Sequence, residues 1–280
     1  MIIWIASYPK SGNTWVRSIL SSLLYTEDGN FTRQHLNKID QYPIRKYFEG
    51  FVSNYHDIKE VMRYWIVTQD KLNLDNKTKF LKTHHALCKV NNFHFTNNDN
   101  TLATIYIVRD PRNVITSITN YFNFNYNEAK KFMFNSSQGI VAAQKNNKNS
   151  ISTLIGSWSD HYNTWTKNNK NLLIVKYENL ILNTEGEITK IINFLEKYKK
   201  ININDKKIKN CIKTTSFENL KIIEEIGHFN EIEQITTKKE EETKFFNLGK
   251  ENKWENLLDN KIKIDIEKKF LKEMKELKYI

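Results

Sequence analysis

Four short apolar runs, at residues 2–6, 79–83, 102–108 and 172–176, recur along this 280-residue chain with helical periodicity between them. They are rich in isoleucine and valine, the composition of strands buried on both faces of a parallel sheet. After the first run, Trp15, Val16, Ile19, Leu20, Leu23 and Leu24 fall on one helical face. After the third, Val114, Ile118 and Tyr121 do the same, and Leu154, Ile155, Trp158, Tyr162 and Trp165 make a longer stripe. Thr184-Glu185-Gly186-Glu187 reads as a capping box for a helix running to Phe194. Strands alternating with helices predict an α/β fold, a central parallel β-sheet flanked by helices. Ligands of such folds sit at the carboxyl ends of the strands, so the residues behind each run are the candidates for function.

Behind the first run stands Ser7-Tyr8-Pro9-Lys10-Ser11-Gly12-Asn13-Thr14-Trp15. Backbone N–H groups from Gly12 to Trp15 would face an anion at the start of the next helix, where the helix dipole favours negative charge. Gly12 lets the backbone come close, and Lys10 is a movable cation able to reach an oxygen that gains charge during reaction. A nucleotide-kinase loop has its lysine after the last glycine; here Lys10 precedes Gly12, which argues against that use. Behind the third run, Asp110 and Pro111 make a helix start, with aspartate as cap and proline in the first turn. Arg109, at the strand end, can fork onto a phosphate, and Ser117 lies eight residues on. Behind the second run comes Lys82-Thr83-His84-His85. A neutral imidazole accepts a proton near physiological pH, and strand alternation points only one of the two histidines into a cleft.

These stretches resemble the cytosolic sulfotransferases, which use 3′-phosphoadenosine 5′-phosphosulfate (PAPS) and release PAP. The opening loop is similar to the family's 5′-phosphosulfate loop, with Ser7 and Asn13 in place of threonines. The resemblance implies that Lys10, Ser11, Gly12, Asn13, Thr14 and Trp15 hold the donor. Lys10 would meet the oxygen between phosphorus and sulfur, and Trp15 would pack on adenine. Arg109 and Ser117 match the family's 3′-phosphate motif, with Arg112 a rival that the spacing disfavours. Lys82-Thr83-His84 matches the pattern around the family's base. His84 is then the catalytic base, with Lys10 and Lys82 as catalytic cations, although His85-Ala86 replace the usual Leu-Pro. Tyr177, Thr215 and Phe217 fall in segments similar to those on the adenine side. Gly249 and Trp254 keep a family spacing, but Asn247-Leu248 replace its Arg-Lys pair. That arm of the 3′-phosphate clamp is missing or supplied elsewhere, with Lys250 as the candidate. The family's C-terminal dimerisation pattern is not evident after Trp254.

The resemblance implies a three-layer, P-loop-like fold and one domain over residues 1–280. Helical insertions or lids around residues 25–75 and 123–149 are expected over the site. The implied reaction is in-line transfer of a sulfuryl group from PAPS to a hydroxyl or amine, without a metal. Aromatic residues crowding the insertions hint at an aromatic or lipid-like small-molecule acceptor.

Composition leaves this reading in place. The 43 Lys+Arg exceed the 32 Asp+Glu by eleven, which would suit an anionic ligand or nucleic acid. However, lysine, asparagine and isoleucine crowd the whole chain, as in residues 144–149, so a general bias explains much of the charge. The basic residues form no stripe interleaved with aromatics, and no nucleic-acid partner is expected. Two rival readings stay open: a non-catalytic nucleic-acid module, with salt-dependent binding, and a P-loop-type kinase, with a magnesium requirement. Cys88 and Cys211 are isolated, which suggests neither a disulfide framework nor a zinc site. With no leader-like N-terminus and no apolar run of membrane-spanning length, a cytoplasmic protein is expected.

Overall fold

Each of the four apolar runs is a strand. The computed structural model describes residues 1–140, 151–167, 169–226 and 245–280. Its main sheet contains β1 (Ile2–Ser7), β2 (Asp40–Gln41), β3 (Lys79–Thr83), β4 (Thr101–Val108) and β5 (Leu172–Lys176). The order is β2-β3-β1-β4-β5, and every pairing is parallel. Strand β2 is two polar residues long and has no apolar pattern, so nothing in the sequence marked it.

Central β1 shows why the runs are apolar throughout. Ile3 and Ile5 pack with Val16, Ile19, Leu20 and Leu23 of helix α1 (Asn13–Tyr25). Trp4 and Ala6 point the other way, into a cluster with Tyr42, Phe95 and Trp165. Burying each such large side chain contributes about 2–3 kcal/mol. Both faces are covered, so no position of the strand tolerates water.

Register then sets the site. Ala6 lies beside Thr83 and Tyr106, Ser7 beside Ile107, and Val108 beside Lys176. The strands therefore end along one edge, and Tyr8, His84, Arg109 and Tyr177 leave the sheet together.

Helix α2 (Pro111–Phe122) starts as expected: Pro111 is its first residue and the Asp110 carboxylate accepts from Arg112 N at 2.9 Å. Other local expectations are corrected. The stripe from Leu154 to Trp165 is not one helix, because Gly156 has φ 67° and α3 (Trp158–Thr166) begins only after a Ser157 cap. The cap of α4 (Thr184–Leu195) is Asn183, whose Oδ1 accepts from Gly186 N at 2.9 Å. Thr184 instead donates back to Leu180 O at 2.7 Å, so the cap sits one residue earlier than the capping-box pattern placed it. Residues 25–75 form short helices together with β2. Their Tyr42, Phe48 and Trp65 belong to the core around Trp4. In 123–149, a helix spans Tyr126–Phe134 and a two-residue strand Gly139–Ile140; residues 141–149 lie outside those described.

Candidate active site

Helix α1 begins where the loop ends. Its N-cap is Gly12, at φ 101°, which has no side chain with which to cap the first turn. A Cβ on Gly12 would stand 2.5 Å from Tyr177 Cδ2, so the close approach of loop and ring requires glycine as well as the positive φ. Lys10 is also left-handed, at φ 64°, which costs a residue with a Cβ roughly 1 kcal/mol. That conformation lifts its side chain toward α2. There Nζ sits 4.0 Å from the Tyr121 ring centroid and 3.8 Å from that of Phe245.

Arg109 extends from the end of β4 and is nearly buried. Its Nη1 donates to Lys10 O at 3.2 Å, and its guanidinium stacks 4.2 Å from the Tyr177 ring centroid. Tyr177 packs edge-on to Trp15 at 5.7 Å. Arg112 turns the opposite way. It pairs with Asp110 at 2.6 Å and Glu267 at 2.7 Å, donates to Tyr279 O at 2.9 Å, and lies 4.0 Å from the Trp254 ring. Its guanidinium belongs to a buried tie between α2, the C-terminal helix α5 (Asn260–Lys269) and Tyr279, which follows the last helix, α6 (Leu271–Glu276).

The two histidines behind β3 part in the same manner. His85 is fully buried, stacks on Phe95 at 4.1 Å and places Nδ1 2.7 Å from Ala86 O. Burial lowers its pKa to about 3, so it stays neutral. His84 is half-buried, with Nδ1 2.8 Å from Ser7 O. A carbonyl only accepts, so Nδ1 carries the proton and the lone pair of the neutral ring is on Nε2. Behind it, His161 of α3 places Nε2 3.2 Å from His84 O and Nδ1 2.8 Å from the Tyr106 hydroxyl.

One cavity of about 1080 Å³, part of it open to solvent, is lined by Lys10, Gly12, Asn13, Thr14, Trp15, Lys82, His84, Arg109, Ser117, Tyr177, Phe217 and Gly249. Ser11 is buried in the loop beneath it. Two expected residues stand apart. Thr215 is buried and donates to Cys211 O at 2.7 Å, a bond within its own helix. Lys250 is exposed, with Nζ 4.0 Å from Glu218, and does not line the cavity. No residue of 25–75 lines it either, and of the described part of 123–149 only Ile140 does. Tyr121, Phe245 and Asn252 line it without having been expected to. Tyr121 had the spacing of a core residue; its position four residues after Ser117 was the available clue, since both fall on one helical face. Asn252 holds the C-terminal segment to α2, accepting from Thr116 at 2.6 Å and donating to Asn113 O at 2.9 Å.

A profile of the sulfotransferase domain matches residues 2–278. The chain belongs to the sulfotransferase family. Among similar sulfotransferases, the amine sulfotransferase of Oryctolagus cuniculus is 24% identical over 99% of this chain and 83% of its own length. Sulfotransferase 1B1 of Canis lupus familiaris is 26% identical over 78% of this chain and 66% of its own. The luciferin sulfotransferase of Photinus pyralis is 26% identical over 82% and 60%. In fold, the chain is similar to mouse sulfotransferase SULT7A1 complexed with PAP: TM-score 0.61, 20% identity, covering 98% of this chain and 84% of that one. A retinol dehydratase in a complex with retinol and PAP gives 0.62 at 19% identity, covering 98% and 81%. Family membership makes this chain an enzyme of the PAPS-dependent sulfotransferase class.

The sulfotransferase cavity suits such a donor on its own evidence. Ser11 Oγ, Trp15 Nε1 and Arg109 Nε are buried with no hydrogen-bond partner among the described residues, and buried donors without partners are costly. Ser11 and Trp15 flank the glycine-capped start of α1 in the chain, and Arg109 reaches the loop there through Lys10 O. Gly249, at φ 55°, would place a Cβ 2.6 Å from the Phe217 ring, so these two residues close the cavity wall at backbone-to-ring contact.

Proposed function

We propose that this sulfotransferase moves the sulfuryl group of PAPS to the hydroxyl or amine of a small molecule, with His84 as general base and Lys10 beside the leaving group. What carries the reading is convergence: Lys10, His84 and Arg109, from three strand ends, meet Ser117 and the Gly12 start of α1 around one cavity. Bound PAPS would supply an activated sulfuryl group on a phosphate leaving group. Ser11 to Trp15 would hold its phosphosulfate through backbone N–H groups. Arg109 and Ser117 would hold the 3′-phosphate, and Trp15, Tyr177 and Phe217 would frame the adenine.

His84 Nε2 takes the proton from the acceptor, since its Nδ1 is already protonated against Ser7. Lys10 leaves its ring contacts to place positive charge where negative charge grows, with Lys82 adding to that field. No metal is part of this scheme. With Lys250 turned outward and Asn247-Leu248 neutral, Arg109 is, among the described residues, the main cation for the 3′-phosphate. Phe122 and Ile140 line the cavity, which favours an aromatic or lipid-like acceptor. The proposed enzyme works in the cytoplasm; Cys88 and Cys211 are free thiols. Among the described residues no helix is long and apolar enough to cross a membrane.

Thermal unfolding with PAP or Mg-ATP tests the donor. A ligand at a hundredfold its Kd stabilises the folded state by about 2.7 kcal/mol, so PAP should raise Tm by several degrees and Mg-ATP far less. Equal stabilisation by Mg-ATP would favour a kinase. Sulfur-labelled PAPS with matched phenols, aliphatic alcohols and amines then identifies the acceptor class.

A further inference from the structure

Two small polar residues beneath the cavity connect the donor loop to the base. Ser7 is fully buried and Asn13 nearly so. The Asn13 amide nitrogen donates to Ile5 O at 2.9 Å and to Ser7 Oγ at 3.1 Å. His84 Nδ1 lies 3.2 Å from that Ser7 Oγ and 2.8 Å from Ser7 O. Each end of this chain of contacts is a backbone carbonyl, which can only accept. At the Ile5 end, the group facing the carbonyl must be the amide nitrogen, so Asn13 cannot be turned round. At the Ser7 end, the ring nitrogen must carry the proton. Ser7 Oγ sits between the two and accepts from both sides.

We infer that Asn13 and Ser7 are positioning residues that hold His84 in its Nδ1-protonated tautomer, with Nε2 left as the basic nitrogen. The inference rests on His84 being the base, as proposed above. Turning the ring by half a revolution would set a carbon against Ser7 and lose both contacts, so the ring has one favoured orientation. Asn13 is also the first residue of α1, next to the N–H groups that would grip the donor. Donor loop and acceptor base are therefore one hydrogen-bonded unit, and Asn13 directs its side chain to the base while its backbone serves the anion.

The test combines spectra and rates. In protein with ¹⁵N-labelled histidine saturated with PAP, the His84 ring, assigned by its loss in His84→Gln, should show a protonated Nδ1 and a bare Nε2 at pH 8. The opposite tautomer would overturn the inference. With PAPS and 2-naphthol, Ser7→Ala should lower kcat about fivefold to tenfold, the scale of one lost hydrogen bond, at unchanged PAP affinity. Ser7→Thr, which keeps the hydroxyl, should restore kcat, and Asn13→Ala should act like Ser7→Ala. In a His84→Ala background, Ser7→Ala should cost nothing further, because the relay acts only through the ring. An equal loss in both backgrounds, or none in either, overturns the relay and leaves the base reading standing. Full activity of His84→Ala overturns the base reading itself. Where 2-naphthol is not turned over, the tautomer decides alone.

Discussion

Arg109 and Arg112 are the same side chain three residues apart, and their surroundings give them opposite work. Arg109 is buried beside the loop with Nε unsatisfied among the described residues. Arg112 has its Nε, Nη1 and Nη2 all engaged by Asp110, Glu267 and the Tyr279 carbonyl. A phosphate entering the cavity gains a charge-assisted fork from the first and nothing from the second. Arg109→Ala should therefore weaken PAP binding by about 2 kcal/mol, roughly thirtyfold in Kd, as read by calorimetry. An unchanged Kd would remove Arg109 from the donor site.

At the scale of elements, α2 has two sides with two duties. Val114, Ile115 and Ile118 are buried in the core, while Ser117 and Tyr121 line the cavity. Its first turn is also an anchor, since Arg112 ties it to α5 and the end of the chain. Removing the guanidinium would strand the Asp110 carboxylate and half-strand that of Glu267. Breaking a buried pair in this way costs about 3 kcal/mol. Arg112→Leu should thus lower the denaturation midpoint clearly, yet leave PAP Kd within about twofold for the protein that remains folded. A stable Arg112→Leu that no longer binds PAP would reverse the two roles. The element-scale coupling also explains Gly249-to-Trp254: Trp254 lies on Arg112 while Asn252 bonds α2, so the segment carrying Gly249 and Phe246 reaches the cavity from the same anchor.

For the whole molecule, two buried rings make stability depend on pH. His85 and His161 have pKa values lowered to about 3, chiefly by burial, against about 6.5 in an unfolded chain. Between those values the unfolded chain binds protons that the folded one does not. Stability therefore falls as pH drops through that window, by up to about 1.4 kcal/mol per pH unit for each ring. Glu178 works the other way, because burial raises its carboxyl pKa and protonation above the usual carboxylate range relieves the folded state. With two rings lowered and one carboxyl raised, the histidines set the expected direction. Urea titrations at pH 7, 6 and 5 should show a falling midpoint, and His161→Gln, which can still donate to His84 O, should flatten the trend. A midpoint that rises on acidification would contradict buried neutral rings.

The four long strands and the loops behind them were legible in the sequence because their causes are local. A strand covered on both faces must be apolar throughout, a helix start needs Asp110-Pro111, and a loop pressed on a ring needs Gly12. His84 and His85 do part, but both lie past the end of β3, so their neighbours and not strand alternation turn them. Shifted caps and broken stripes, at Asn183 and Gly156, came from neighbours competing for one role at short range. Other features had no local cause to read. Strand β2 is held by β3, Lys10 is met by Phe245 from the far end of the chain, and Asn13 turns back to Ser7. Arg112 is claimed by residues more than 150 positions away. Such choices follow from which side chains the packed sheet and helices bring together, and only the tertiary structure makes them.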